Sequence, residues 1–403
     1  MARIGHNSPQ KGENMPWKES DTVDQRQKFA LEAMAGNIDF SELCRKYGIS
    51  RKTGYKWKER FLQKGINGLE DGSRRPKKSP TSVAEDVVCE LVKFKIAHPT
   101  WGPKKIRDLY ARNNPGKEIP CETSVKRILG RAGLVEHRKR RQSTDGGRIT
   151  NRVEAERANH IWTVDFKGWW YTNNGKRFEP LTICDSYSRY VLCATALDNG
   201  RVDSVRAAFE ELFRSHGLPE IIRSDNGSPF ACYHSPLGLT QLSAWWVALG
   251  ISLDRIPPGR PDQNGSHERM HRDIKREVQR NAADSIASQQ ADLDIWRTIY
   301  NYERPHEALG MQLPAELYEK STRSYHENIE IAYPIGFESR TVNGCGIIGL
   351  RSKRILISRA LRGWNLGLKE ISSTVYEAWF CDLRLGEIDV LTEKLKVFKP
   401  TSK

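Results

Sequence analysis

From Asp24 apolar residues recur at helical spacing, with Phe29, Leu31, Met34 and Ala35 on or near one face. After Gly36-Asn37, the stretches FSELCRKYGIS and RKTGYKWKERFLQKG predict a helix, a tight turn and a second helix. Phe40, Leu43 and Cys44 are the expected inward residues, and Trp57 and Phe61 those of the second helix. Gly48 supplies a turn where positive φ is easy without a Cβ, and Ser50 caps the helix that follows. A second helical unit follows with AEDVVCELVKFKIAH, WGPKKIRDLYARN and TSVKRILGRAGL, where Thr123 or Ser124 is the expected cap of the last helix. From about Asn151 the pattern turns strand-like. IWTVDFKGWWY, LTICDSYSRYVLCATAL, EIIRSDNGSPF and ISLDRIPP are apolar and β-branched runs. The amphipathic stretch VDSVRAAFEELFRSHG, ended by Gly217, and LTQLSAWWVALG are helical, which predicts an α/β sheet domain. Long helices follow from about Gly265 to Arg280 and from Gln289 to Glu303. The segments RILISRAL, LGLKEI, VYEAWFCDL and EIDVL then predict a small β-barrel.

The predicted fold is therefore multidomain: N-terminal all-α helix-turn-helix units, a central α/β domain and a C-terminal small β-barrel. The expected boundaries are a flexible tail over 1–22, a helix-turn-helix domain over 23–66 and a linker over 67–82. A second helix-turn-helix domain over 83–135 and a basic linker over 136–152 follow. The α/β core with a helical extension covers 153–322, and the barrel covers 330–400.

Charge separates these parts. Residues 1–150 hold 32 Lys+Arg against 18 Asp+Glu, while residues 151–403 hold 33 against 32. A basic front on a neutral back points to a polyanion partner in front and other work behind. The eight cysteines are scattered without CxxC spacing, which argues against a zinc finger or a disulfide framework. Nothing reaches the ~18 apolar residues of a membrane span, and Met1 to Gln25 is polar, unlike a secretory leader. A reduced cytoplasmic setting without membrane is the expectation.

The helix after Gly48 carries Ser50, Arg51, Lys52, Tyr55 and Lys56 in its first half. A helix-turn-helix places those positions in the major groove of double-stranded DNA, where cationic and polar side chains read base edges. The alternative is an ordinary helical hairpin with a basic solvent face. RRPKK at 74–78 and HRKRR at 137–141 could touch phosphates or serve only as solvated tethers.

Three acids are conspicuous. Asp165 lies inside the apolar run IWTVDF, Asp225 ends the run EIIRSDNG, and Glu268 falls at the start of the helix after PDQNGSHER. A buried acid costs several kcal/mol unless it is paired or binds metal. Two acids at strand ends and one on a helix make an oxygen cage for Mg2+ or Mn2+, and two such ions roughly 3.5–4 Å apart serve phosphodiester chemistry. Pairing with Arg189 or Arg223 is the structural alternative for any one of them.

The stretches HIWTVD at 160–165, SDNG at 224–227 and PDQNGSHER at 261–269 resemble, in order, the three motifs of DDE transposases. This is the bacterial insertion-sequence branch of the retroviral-integrase superfamily. YNYERPHEAL at 300–309 and LPAELY at 313–318 are similar to that branch's tail motif. The resemblance implies an RNase H-like catalytic core with Asp165, Asp225 and Glu268 as catalytic, metal-binding residues, two divalent ions, and no covalent protein–DNA intermediate. It also implies terminal inverted repeats and target DNA as partners, and at least a dimer on DNA. Arg272 and Lys275, four and seven residues after Glu268, share its helix face and are candidates to hold the DNA end near the ions. His160, His267 and His271 flank the acids and are expected in packing or phosphate contact. The interval between Asp225 and Glu268 is longer than in much of the family, with the extra length around ACYHSPLGLT. Two other readings remain open: a catalytically inactive DNA-binding regulator, and an RNase H-like structure-specific nuclease.

Removing residues 1–150 is expected to weaken binding to the terminal repeats in a gel shift. Undiminished binding would refute a recognition role for the front of the chain.

Overall fold

The computed structural model describes residues 21–72, 83–135, 153–197, 202–257 and 264–398. They fall into two compact units, Met1–Ser82 and Val83–Lys403. The runs at 74–78 and 137–141 lie outside the described residues, as does nearly all of the tail expected over 1–22.

In the first unit, helices α1 (Thr22–Ala35), α2 (Phe40–Lys46) and α3 (Arg51–Lys64) enclose Phe29, Leu43, Cys44, Trp57 and Leu69. Asp39 caps α2 by accepting from the Ser41 and Glu42 amides, and Ser50 caps α3 by accepting from Thr53 N. Gly48 turns the chain between them at φ 62°. On α1 it is Ala30 and Ala33 that sit inside beside Phe29, while Leu31 and Met34 are exposed. The expected linker starts late, because a short 3-10 turn, Gly65–Leu69, buries Leu69 completely.

The second unit opens with α4 (Glu85–Ala97), α5 (Pro103–Asn113) and α6 (Glu122–Arg131) around Leu91, Trp101, Ile106, Tyr110, Val125 and Leu129. Cys121 occupies the cap position of α6, so Thr123 and Ser124 lie inside its first turn. These helices are joined to the sheet domain behind them. Arg112 donates to Glu316 at 2.5 Å and to the Met311 carbonyl at 2.9 Å, and Thr100 bonds Glu277.

The central sheet is built from β1 (Ile161–Phe166), β4 (Pro180–Asp185), β5 (Val191–Ala196), β6 (Ile221–Ser224) and β7 (Ser252–Arg255), in the order β5-β4-β1-β6-β7. The β5, β4 and β1 strands are antiparallel, and β6 and β7 run parallel to β1. A small hairpin, β2 (Trp170–Tyr171) with β3 (Arg177–Phe178), leaves β1 where Gly168 bends the chain at φ 82°.

Strand alternation divides the two faces. Trp162, Val164, Leu181 and Ile183 pack with α7 (Val202–His216) and α8 (Gln241–Ala248) through Phe209, Phe213, Trp245 and Trp246. On the other face, Cys184 and Ala194 meet α9 (Gly265–Ile274) and α10 (Ile286–Tyr302) through Met270, Ile274, Leu293 and Tyr300. The β5 edge is blunted by α10 side chains. Asn301 bonds both the amide and the carbonyl of Val191, and Gln290 does the same for Ala196 N and Ala194 O. A short helix α11 (Pro314–Leu317) follows.

The C-terminal region is all-β, but it is not the closed barrel expected from its spacing. Strands β8 (Phe337–Thr341), β11 (Asn365–Glu370), β12 (Val375–Phe380), β13 (Leu383–Asp389) and β14 (Lys394–Val397) form an open antiparallel sheet in the order β14-β13-β12-β11-β8. A separate hairpin, β9 (Ile347–Leu350) with β10 (Lys353–Leu356), covers it. The hairpin contributes Ile348, Leu350 and Ile355 to the core, closing the open side with side chains rather than with a ladder of backbone bonds. The long interval before α8 also acquires a role here. Leu239 joins this core, and Ser235 Oγ lies 2.9 Å from Ser358 Oγ, so the extra residues seat the C-terminal sheet.

A Cβ at Gly54 of α3 would lie 2.7 Å from Cys44 Sγ and 3.0 Å from Phe29 Cζ. Gly54→Ala is therefore expected to lower the stability of the first unit by about 1–2 kcal/mol through overpacking, despite the roughly 1 kcal/mol better helix propensity of alanine. An unchanged or raised melting transition for that unit would contradict this close approach.

Candidate active site

The parallel pairing of β1 and β6 runs Ile161↔Ile221, Trp162↔Ile222 and Thr163↔Arg223. Continued two residues along both chains, that register sets Asp165 and Asp225 side by side at the carboxyl ends of neighbouring parallel strands. Ligands of open α/β sheets gather at such ends. Asp165 is half-buried and points to the α9 face, opposite Thr182 on β4. Asp225 is exposed just past β6, where its Oδ1 accepts from Gly227 N at 3.0 Å. Glu268 is exposed in the first turn of α9.

The three carboxylates bear on one another. Burial, then the charge on Asp225, with Glu268 adding to them, push the Asp165 carboxyl up to about 7. Asp165 Oδ2 has a long 3.4 Å contact from Asn264 Nδ2, and the buried Oδ1 of Asn264 has no partner. Asp185 shows what a satisfied acid looks like in the same sheet. It is fully buried, yet it accepts from Asn159 N at 2.7 Å, Ser188 N at 2.8 Å and Ser188 Oγ at 2.6 Å. The arginine alternatives fail for the three acids, since Arg223 pairs with Asp254 at 2.6 Å and Arg189 has no ion pair among the described residues. A half-buried carboxyl crowded by two exposed ones, beside an orphaned amide oxygen, fits a hard divalent cation.

Helix α9 is pinned beneath these acids by two histidines. His267 is 1% exposed, with Nδ1 at 2.9 Å from Thr163 Oγ1 and Nε2 at 2.8 Å from Thr182 Oγ1. His271 Nε2 reaches the same Thr182 hydroxyl at 2.7 Å, and that hydroxyl donates to the Asp165 carbonyl at 2.9 Å. With its one proton given to Asp165 O, Thr182 Oγ1 accepts from both rings, so both carry hydrogen on Nε2. Burial pushes His267 down to about 3. Burial, reinforced by the neighbouring His267, takes His271 to about 2, so both rings are neutral. Asp165, His267 and His271 place possible ligand atoms within 4.8 Å of one another. Both nitrogens of His267 are already engaged, however, which favours the oxygen set. Sequence reasoning anticipated packing for these histidines but not their threonine partners. His160 instead sits in a turn, its Nδ1 accepting from Glu156 N at 3.2 Å.

The two cations expected beside Glu268 separate. Lys275 is exposed where α9 passes into a wider turn over Lys275–Gln279, and its charge, after burial, lowers Lys167 beside Asp165. Arg272 is also exposed but lines a groove with Lys105 and Arg189. In the first unit, Arg51, Lys52 and Lys56 are exposed on α3, and Tyr55 is half-exposed and stacked on Phe40 at 4.2 Å. Ser50 serves as the cap.

Models described as "Integrase core domain" match residues 155–261 and 249–314, "Helix-turn-helix domain" matches 25–77, and "Homeodomain-like domain" matches 53–129. Two curated relatives come from insertion elements. The uncharacterized 31.7 kDa protein of insertion element IS407 of Burkholderia multivorans is 27% identical over 60% of this chain and 83% of its own length. The uncharacterized 39.2 kDa protein of insertion element IS476 of Xanthomonas euvesicatoria is 24% identical over 72% and 76%. Among solved structures, the catalytic core domain of BIV integrase is 21% identical, covering 40% of this chain and 94% of that one at a TM-score of 0.31. The simian T-cell lymphotropic virus intasome structure is 14% identical, covering 73% and 97% at 0.36.

The raised Asp165 pKa couples stability to pH. A carboxyl whose folded pKa lies above its unfolded value binds more protons folded, so it costs stability as pH rises from about 4 to 7. Asp165→Asn is expected to stabilise the metal-free protein by roughly 1–3 kcal/mol at pH 8, with no gain below pH 4. Mg2+ or Mn2+ should raise the melting temperature of the wild type and not that of the variant. A metal response equal in both proteins would remove Asp165 from the cation site.

Proposed function

We infer that this chain is a DDE transposase of the bacterial insertion-sequence branch of the retroviral-integrase superfamily, using Asp165, Asp225 and Glu268 as its catalytic carboxylates. The observation that carries the site assignment is the convergence of two strand-end acids and one helix acid on a carboxyl already raised by burial. Those carboxylates would hold two divalent cations, Mg2+ or Mn2+. When bound, the cations activate an attacking oxygen and stabilise the leaving one at a phosphodiester.

The chain's own groups do the positioning. His267 and His271 hold α9 to the sheet so that Glu268 faces Asp165. Lys167 and Lys275 set positive charge where a DNA strand enters, and Arg272 extends it along the helix. In the first reaction, water's oxygen bonds to phosphorus as the bond to the 3′ oxygen breaks, freeing a 3′-OH at the element's end. In the second, that 3′-OH attacks a target phosphodiester in line, forming one P–O bond as another breaks, with no covalent protein–DNA intermediate.

The helix-turn-helix domains recognise the terminal inverted repeats through Arg51, Lys52, Tyr55 and Lys56 on the helix that Ser50 caps. Joining two ends requires at least a dimer on DNA, and the C-terminal sheet contacts DNA or a second subunit. The reaction takes place on the bacterial chromosome, in the cytoplasm.

Strand transfer in vitro tests this reading. Labelled DNA carrying the element's end and a plasmid target are incubated with Mg2+ or with EDTA, wild type beside Asp225→Asn. Joined product that needs both metal and Asp225 is expected, with a loss of at least about 100-fold in the variant. Cleavage without joining would favour the nuclease, and tight binding with neither reaction would favour the regulator.

A further inference from the structure

The face of α9 that carries Ser266 and Arg269 opens on a second feature. A groove of about 470 Å³ is lined by cations from four separate stretches of chain: Lys105 of α5, Arg189 of the β4–β5 turn, Arg269 and Arg272 of α9 with Arg276 of the wider turn after it, and Arg304 after α10, next to the neutral His306. Of the acids at the groove, the exposed Glu307 lines its rim, while Asp273 and Glu277 are already committed. Arg304, nearly buried at the same groove, pairs with Asp273 at 2.7 Å and Glu277 at 2.8 Å. Among the described residues, Lys105, Arg189, Arg269, Arg272 and Arg276 have no carboxylate at ion-pair distance. His306 presents a buried Nε2 without a hydrogen-bond partner.

Six cations, Arg304 among them, against Asp273, Glu277 and Glu307 leave a net positive field at one concavity, and such a field concentrates a polyanion. Burial, then Arg304, push the Lys105 amine down to about 8. The shape narrows the choice of anion. Arg269 to Arg276 spans about 10 Å of helix at 1.5 Å per residue, longer than a single phosphate group. Lys105 then carries the row across to the second helical unit, which is fixed to the core through Arg112 and Glu316.

We propose that this groove holds a run of DNA phosphodiester backbone, gripped jointly by the second helical unit and the flank of α9. The assignment rests on the transposase reading in one respect, that the polyanion is DNA. The tail segment around Arg304 and His306 becomes part of the site's floor. Arg304, paired with Asp273 and Glu277, fixes its geometry. A strand seated here follows the same helix that bears Glu268, so the groove orients the flanking duplex while the carboxylates act on its end.

The test is the salt dependence of binding by the full-length protein, read by anisotropy on a labelled random-sequence duplex. Removing one cation–phosphate pairing lowers the slope of log Kd against log salt by about 0.9. Lys105→Gln with Arg276→Gln is expected to lower the slope by about 1–2 without changing the melting temperature. Lys105→Arg with Arg276→Lys should keep the slope near that of the wild type. Arg269→Gln, on an exposed position, gives a second reading should the double variant fail to fold, with an expected drop in slope of about 1. An unchanged slope in folded variants overturns the proposal. So does a melting shift by inorganic phosphate that the variants abolish while DNA binding is untouched, since the groove would then take a small anion. A reduced slope in a protein that shows no strand transfer would leave the groove standing and remove the transposase reading. Intact strand transfer with an unchanged slope would do the reverse.

Discussion

The contact on which the rest of the molecule depends is the bond set that ties α9 to the sheet. His267 lies between the hydroxyls of Thr163 on β1 and Thr182 on β4, and His271 one turn later meets the same Thr182. Thr182 in turn holds the Asp165 carbonyl. These are polar groups in a dry place, and leaving any one unpaired would cost about 1–3 kcal/mol. The helix therefore has one register on the sheet. Glu268, next to His267 in sequence, has its position set by a residue that it does not touch chemically.

That constraint explains why the acids can be crowded. Asp165, Asp225 and Glu268 repel one another, and Asp165 is desolvated as well. Such an arrangement survives only where the surrounding packing over-determines it. Here the opposite face of the sheet carries a dense aromatic core of Trp162, Phe209, Phe213, Trp245 and Trp246. The neighbouring face is held by Met270, Ile274 and Tyr300. Apolar burial outside the site supplies the stability that the site itself withholds.

The tail motif has a parallel role. Asn301 blunts the β5 edge, and Arg304 gathers Asp273 and Glu277 between α9 and the second helical unit. Tyr318 stacks on Tyr190 with ring centroids 4.4 Å apart and donates to Asn159. The part of the sequence most similar to a family signature, apart from the acids, thus works as a clamp. It joins the helical extension to the sheet and sets the floor of the basic groove.

Much of this was legible from the chain alone. Periodicity separated the helical front from the α/β core, and the acids stood out because an Asp inside IWTVDF or at the end of EIIRSDNG is costly without a partner. Turn and cap chemistry is local, so Gly48 and Ser50 could be read from their neighbours. The remainder depends on contacts between distant segments. Whether the C-terminal strands close into a barrel turns on how the β9–β10 hairpin lies over the sheet, and strand spacing carries no information about that. Leu31 and Met34 have helical spacing yet face solvent, because Ala30 and Ala33 allow a closer approach of the helices. The threonine partners of His267 lie some 85 to 104 residues away from it, and Lys105 and His306 come to one groove from distant parts of the chain. Local pattern determined which elements form and which side chains are candidates for chemistry. Tertiary packing alone decided which of them face each other, because the burial and charge that give them their properties come from residues far along the chain.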